Sequence, residues 1–176
     1  FKLKARQQRT LFMNFFQKSS LITWWIAFAI SMLVYVFSAE PSASLWDCAE
    51  FISTSYKMEV GHPPGAPLFM MINRFFSMFA PDTSSVAFMV NVASCMASAL
   101  TIAFMFWTIA HLGRRIMRKS EEELTRGETF AIMGAALIGS LAYAVTDTFW
   151  FSAVEGEVYA PTSLFTALAF WAFLQW

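Results

Sequence analysis

Residues 86–112 read VAFMVNVASCMASALTIAFMFWTIAHL, with no Lys, Arg, Asp or Glu among them. A helix that crosses the hydrocarbon core of a bilayer needs about 20 mainly apolar residues. This stretch is long enough, and only small polar residues and Asn91 interrupt it, so it predicts a membrane-spanning helix. Working outward, residues 21–37 are also free of charge and carry Trp24, Trp25 and Tyr35 near their ends, which predicts an earlier span. Residues 130–146 predict a shorter one, rich in Gly134, Ala135, Ala136, Gly139 and Ser140, and small residues let helices approach closely in lipid. Residues 158–176 begin a fourth, with Pro161 in its first turn, where proline is tolerated. The fold class expected is an all-α integral membrane protein with about four transmembrane helices.

Composition agrees. Of 176 residues, 57% are hydrophobic and 14% charged, against about 45–50% and about 25% in a soluble domain. A disordered chain, a nucleic-acid-binding tail and a disulfide-stapled secreted module are all poor fits. Cys48 and Cys95 have no metal-type spacing and read as two unpaired buried side chains. A cleaved signal peptide fits badly, because the leader is long and further spans follow. The chain begins at Phe1 and ends at Trp176 inside an apolar run, so we expect a truncated N-terminal part of one larger transmembrane domain.

Charge supplies the orientation. Ten of the twelve basic residues precede the first span or lie in the loop 113–129; only Lys57 and Arg74 lie on the other side. The positive-inside rule makes the basic side cytoplasmic and places the N-terminus there. That side holds ten basic and four acidic residues, net +6; the outer side holds two basic and eight acidic, net −6. The stretch RRIMRKSEEELTRGE (114–128) reads as a solvated cytoplasmic hairpin with local ion pairs.

The outer loop 38–85 is long enough to carry structure of its own. Ser44 to Met58 is expected to form a helix with Ser44 as N-cap, placing Asp47 and Glu50 on one face beside an apolar face of Leu45, Ala49, Ile52 and Tyr56. Ala66 to Phe79 is expected to form an amphipathic helix at the bilayer surface, polar only at Asn73 and Arg74. Between them lies a rigid turn, Gly61-His62-Pro63-Pro64-Gly65-Ala66-Pro67. The next outer loop, 147–157, places Glu155 and Glu157 just before Tyr159 and the last apolar run.

Carboxylates at the outer membrane surface suit a reaction between a lipid-borne and a water-borne substrate. One carboxylate can take a proton from an acceptor hydroxyl while a second tunes or orients it. A phosphate leaving group would need a cation nearby, and the outer candidates are Lys57, His62 and Arg74. No metal cage is expected, although two or three carboxylates could hold a divalent ion weakly. On these grounds alone a membrane transferase, a transporter piece and a structural subunit for envelope assembly or export all stay open. Charge-free span centres count against an ion-coupled transporter.

The run SAEPSASLWDCAEFISTSYKMEVGHPPGAPLFMMINRFFSMFA (38–80), followed by VEGEVYAPTSLF (154–165), resembles one membrane protein family. Its members are mostly bacterial, of the Bacteroidetes type, and were long without a known function; its eukaryotic branch comprises O-mannosyltransferases acting on plexin-type receptor domains. Ala49 stands where the family usually has glycine. The resemblance implies the multi-spanning GT-C fold of lipid-phosphate-dependent glycosyltransferases. It implies a polyprenyl-phosphate sugar as donor, an exported protein as acceptor, and inverting transfer to Ser or Thr. Membrane lipids are the other partners, and neither nucleic acid nor a further cofactor is involved. Carried onto this chain, it makes Asp47 the general base and Glu50 its partner. His62, Pro63 and Pro64 shape the site, Arg74 and Lys57 offer charge to the substrate, and Glu155, Glu157 and Tyr159 line the site from the second loop. The location implied is the bacterial inner membrane, with the active face periplasmic.

Overall fold

The computed structural model describes residues 13–176, which form helices with no strand among them. Lys2, Lys4, Arg6 and Arg9, counted above as cytoplasmic charge, lie outside the described residues. In chain order the helices are α1 (Phe15–Ser38), α2 (Cys48–Lys57), α3 (Pro67–Ser77), α4 (Val86–Ile116), α5 (Arg126–Ala144), α6 (Asp147–Ala153) and α7 (Tyr159–Gln175), with a 3₁₀ turn at Thr83–Ser85 before α4. Three segments are long and apolar enough to cross a membrane: Phe15–Ser38, Thr83–Ile116 and Arg126–Ala144. They stand where the first three spans are expected, each extended by a capped turn. At α1 the Asn14 side chain accepts from the Gln17 N–H and Gln17 returns the bond; Thr125 and Glu128 do the same for α5. Such reciprocal caps satisfy orphan N–H groups at a helix start. Helix α7, in the place of the expected fourth span, is 17 residues long.

Helix α4 is the hub, packing against α1, α3, α5 and α7. Its inner faces are small: Ala93, Ser94, Ala97, Ser98, Ala99, Ala103 and Ala110 are buried. Lipid tails are as apolar as leucine, so helices in a bilayer associate through close van der Waals fit rather than through expulsion of water. The fit is visible at Gly139, where an added Cβ would stand 3.2 Å from the Ile109 Cδ1. Larger side chains fill the gaps between helices. Trp24 of α1 stacks on Trp107 of α4 with ring centroids 4.9 Å apart, and Trp107 stacks in turn on Trp171 of α7 at 5.2 Å. Trp24 is therefore a packing residue, buried between α1 and α4. Tyr35 is fully buried, and its hydroxyl donates to the Ala144 carbonyl (2.9 Å), tying the outer end of α1 to that of α5. Both cysteines are buried and unpaired, as expected.

The α4–α5 hairpin has the local ion pair its sequence suggests, Lys119 to Glu128. Glu128 also accepts from Thr125, through its backbone N–H and its hydroxyl. Glu121 accepts from Asn14 and Gln17, fastening the hairpin to the start of α1.

The charge distribution predicts opposite sides for the exposed residues Thr83 and Ser120. In intact cells expressing the full-length protein, Thr83→Cys should react with a membrane-impermeant maleimide, and Ser120→Cys only after permeabilisation. The reverse pattern would invert the topology.

Candidate functional site

The outer loops fold onto the outer end of α4, and one side chain organises them. Asn91, fully buried in the second turn of α4, donates from its amide nitrogen to the carbonyls of Glu40 (2.7 Å) and Ser42 (3.0 Å). Its amide oxygen faces the Cys48 thiol at 3.9 Å. It also faces the second loop: a Cβ on Gly156 would lie 2.9 Å from the Asn91 Oδ1 and 2.9 Å from a Val90 methyl. Only glycine allows this approach without displacement. One amide thus brings residues 40–48 and 155–157 together, and the sequence reading saw it only as an interruption of a span.

The first helix of the loop differs from expectation. It begins at Cys48, not after Ser44, because Trp46 adopts a left-handed backbone (φ 63°) that breaks the helical path. Asp47 consequently occupies the N-cap position, and its side chain makes no capping bond. The buried face is Cys48, Phe51, Ile52 and Ser55, whereas Leu45 and Ala49 are exposed. Phe51 meets Phe69 of α3 edge-on at 5.3 Å. Helix α3 lies near its expected limits, burying Phe69, Met70, Asn73 and Ser77 and exposing Leu68, Met71, Phe75 and Met78. An apolar face with no protein cover fits the surface-lying helix expected here.

Glu50, in the first turn of α2, organises the proline turn. Its carboxylate accepts from the His62 backbone N–H (2.7 Å) and contacts His62 Nδ1 at 3.0 Å. His62 is therefore bonded across to α2, beyond its own turn. Gly61 leaves the room: a Cβ there would lie 3.1 Å from the Glu50 Oε1. The other face of the ring points at Asp47, with Nε2 3.9 Å from Oδ2. Asp47, Glu50 and His62 each present a metal-ligand atom within 4.8 Å of one another, a grouping that their sequence spacing does not reveal. The bonds from His62 hold Glu50 below the usual carboxylate range, and the bond to Glu50, then its charge and that of Asp47, hold His62 above the usual imidazole value. Pro63 and Pro64 form the exposed turn beyond it, joined by a cis peptide bond.

On its other side Asp47 borders a cavity of about 320 Å³ that Trp46, Phe151, Ser152, Glu155, Glu157 and Tyr159 also line. Glu155 and Glu157 are more than nine-tenths buried. Burial pushes both carboxyls up; Glu40 adds to this at Glu155, and Glu155 and Asp47 add to it at Glu157. Two expected site residues go elsewhere. Lys57 ends α2, about 14 Å along the axis from Asp47. Arg74 donates to the Tyr56 carbonyl (2.9 Å) and sits over the Tyr56 ring at 5.3 Å, so it braces the far end of α2. Missed by sequence reading were Asn91, Trp46 and Gly156. The only signals were an amide within an apolar span and a glycine between two carboxylates.

Long apolar helices with a carboxylate-lined cavity at one end define a helical membrane protein. Residues 47–176 match the family described as the protein O-mannosyl-transferase TMEM260 N-terminal domain, and the chain belongs to that family. It is similar to the protein O-mannosyl-transferase tmem260 of Dictyostelium discoideum, with 23% identity over 166 residues, which is 94% of this chain and 18% of the relative. The chain thus spans less than a fifth of the length of that curated relative. No solved structure matches it.

Two measurements check this geometry. In an NMR titration His62 should titrate above the usual imidazole value, and Glu50→Gln should bring it down towards that value. The sign follows from the two shifts. What the pair adds to stability is present below the unfolded histidine's pKa and lost as pH rises through His62's raised one. On the acid side it is lost as pH falls through Glu50's lowered pKa. Gly156→Ala should cost about 1–3 kcal/mol of stability, as overpacking does, which thermal unfolding of the full-length protein would show.

Proposed function

We propose that the chain is the N-terminal part of a membrane O-mannosyltransferase that works on the non-cytoplasmic face. It moves a sugar, mannose or one like it, from a polyprenyl-phosphate carrier to Ser or Thr hydroxyls of exported proteins. The observation that carries this reading is the position of Asp47. It sits exposed at the head of α2, between the Glu50–His62 pair and the cavity of Glu155 and Glu157. The family, and the relative named as a protein O-mannosyl-transferase, support the chemistry.

In this reading Asp47 accepts the proton of the acceptor hydroxyl as its oxygen attacks the anomeric carbon. The bond from that carbon to the phosphate oxygen breaks, the configuration inverts, and the lipid phosphate leaves with the bonding pair. Glu50 holds His62 in place, and the protonated imidazole is the cation closest to Asp47, placed to meet the phosphate. Lys57 at the far end of α2, and Arg74 bonded to that end from α3, are too distant to share that role. Glu155, Glu157 and Tyr159 line the site from the second loop, and Pro63 and Pro64 shape its edge. Helix α7 makes a fourth crossing in a GT-C architecture in the bacterial inner membrane.

The test uses full-length protein in detergent with radiolabelled polyprenyl-phosphate mannose and an extract of exported proteins. Label should pass to protein with the unmodified enzyme. With Asp47→Asn the rate should fall by at least about 100-fold, while the protein stays folded. Unaltered transfer by Asp47→Asn would remove its role as base. If a panel of lipid-linked sugars gave no transfer with folded protein, the subunit reading would replace the transferase.

A further inference from the structure

The cavity beside Asp47 holds an unresolved electrostatic problem. Glu155 and Glu157 are 7% and 8% exposed, and no Lys or Arg lines the cavity with them. Among the described residues no hydrogen-bond donor reaches the Glu157 carboxylate, and its charged neighbours there are Glu155 and Asp47. A buried carboxylate with no partner is costly, so the arrangement is suited to a ligand that brings donors.

Two features decide which donors. The carboxylates are spread around a cavity of about 320 Å³, and among the described residues the only three ligand atoms that converge within 4.8 Å are those of Asp47, at the cavity's edge, and of Glu50 and His62, which do not line it. A volume near 320 Å³ matches about ten water molecules, far more than a bare ion fills, and lies at the small end of ligand pockets. The remaining walls are aromatic. Trp46 is 84% exposed although it borders the cavity, and Tyr159 and Phe151 are exposed beside it. Acidic acceptors facing aromatic planes suit a compact polyol ring: adjacent hydroxyls donate to carboxylate oxygens and the C–H face of the ring covers an indole.

We propose that this cavity is the subsite for the sugar ring, with Glu155 and Glu157 accepting hydrogen bonds from ring hydroxyls and Trp46 stacking on its C–H face. The assignment rests on the transferase reading for the identity of the sugar. It adds Trp46 to the site and gives the two glutamates a role in choosing the sugar. The proton-accepting group, Asp47, then stands at the mouth of the subsite.

Saturation-transfer NMR on the full-length protein in detergent, with methyl α-mannopyranoside as probe, reads the subsite without turnover. The wild type should pass saturation to the ring protons. Trp46→Ala and Glu157→Gln should each weaken binding about tenfold, as loss of a buried hydrogen bond or an aromatic contact does. Circular dichroism checks that each variant is folded, and Glu155→Gln replaces any that is not. No signal in the wild type, or equal signals in wild type and folded variants, would overturn the subsite. Signal with the stated losses but no transfer from any lipid-linked sugar would uphold the subsite and refute the transferase. Transfer without the signal would do the reverse.

Discussion

The outer half of this protein depends on one buried amide. Asn91 uses both amide hydrogens on the carbonyls of Glu40 and Ser42 and turns its oxygen towards Cys48 and Gly156. Carbonyls left unpaired here would each cost about 1–3 kcal/mol. The neighbouring Val90 packs on Cys48 and approaches Gly156 as well, and the Glu40 N–H donates to the Val154 carbonyl (3.3 Å), so the amide works within a direct contact between the two loops. Loop 38–47 is held so that Asp47 arrives at the head of α2, and loop 154–158 is held so that Glu155 and Glu157 face it.

The amide acts through a helix that is itself well fixed. Helix α4 is flanked by α1, α5 and α7, with a tryptophan stack running Trp24, Trp107, Trp171 across three of them. Above that bundle, α2 and α3 join through Phe51 and Phe69, and Arg74 braces the end of α2. The site therefore combines a rigid base with exposed reacting groups. Its acidic side chains divide into two environments. Glu50 is stabilised as a carboxylate by His62, whereas burial first, and then neighbouring carboxylates, drive Glu155 and Glu157 towards the neutral form, against an opposing bond from Ser44 at Glu155. Such divergence among neighbouring carboxyls marks sites where acids and acceptors have separate tasks.

The long apolar helices were legible because hydropathy acts over long stretches. The absence of charge in residues 86–112 is enough to place α4, and the family resemblance in WDCAEF and GHPPGAP points to the same residues that the structure gathers. Finer features were not legible. The helix expected from Ser44 starts four residues later because the Trp46 backbone turns left-handed, and no local propensity forecasts that in a tryptophan. Trp24 stands near the end of an apolar run, and its stacking partner lies more than eighty residues away on α4, which no local pattern reveals. Lys57 and Arg74 carry the charge a phosphate would need; only the length of α2 and the bond from Arg74 to the Tyr56 carbonyl show that both stand at its far end from Asp47. Asn91 shows the limit most clearly. A polar residue in a span reads as a minor interruption until its partners, 43 to 65 residues away, are placed around it.

The central claim is that a single amide on α4 ties both outer loops into one site. Hydrogen exchange by mass spectrometry on the full-length protein, comparing wild type with Asn91→Ala, tests it directly. Peptides covering residues 40–48 and 154–158 should both lose protection, while those from α1 and α5 keep theirs. Loss confined to the first loop, or no loss in either, would contradict the account.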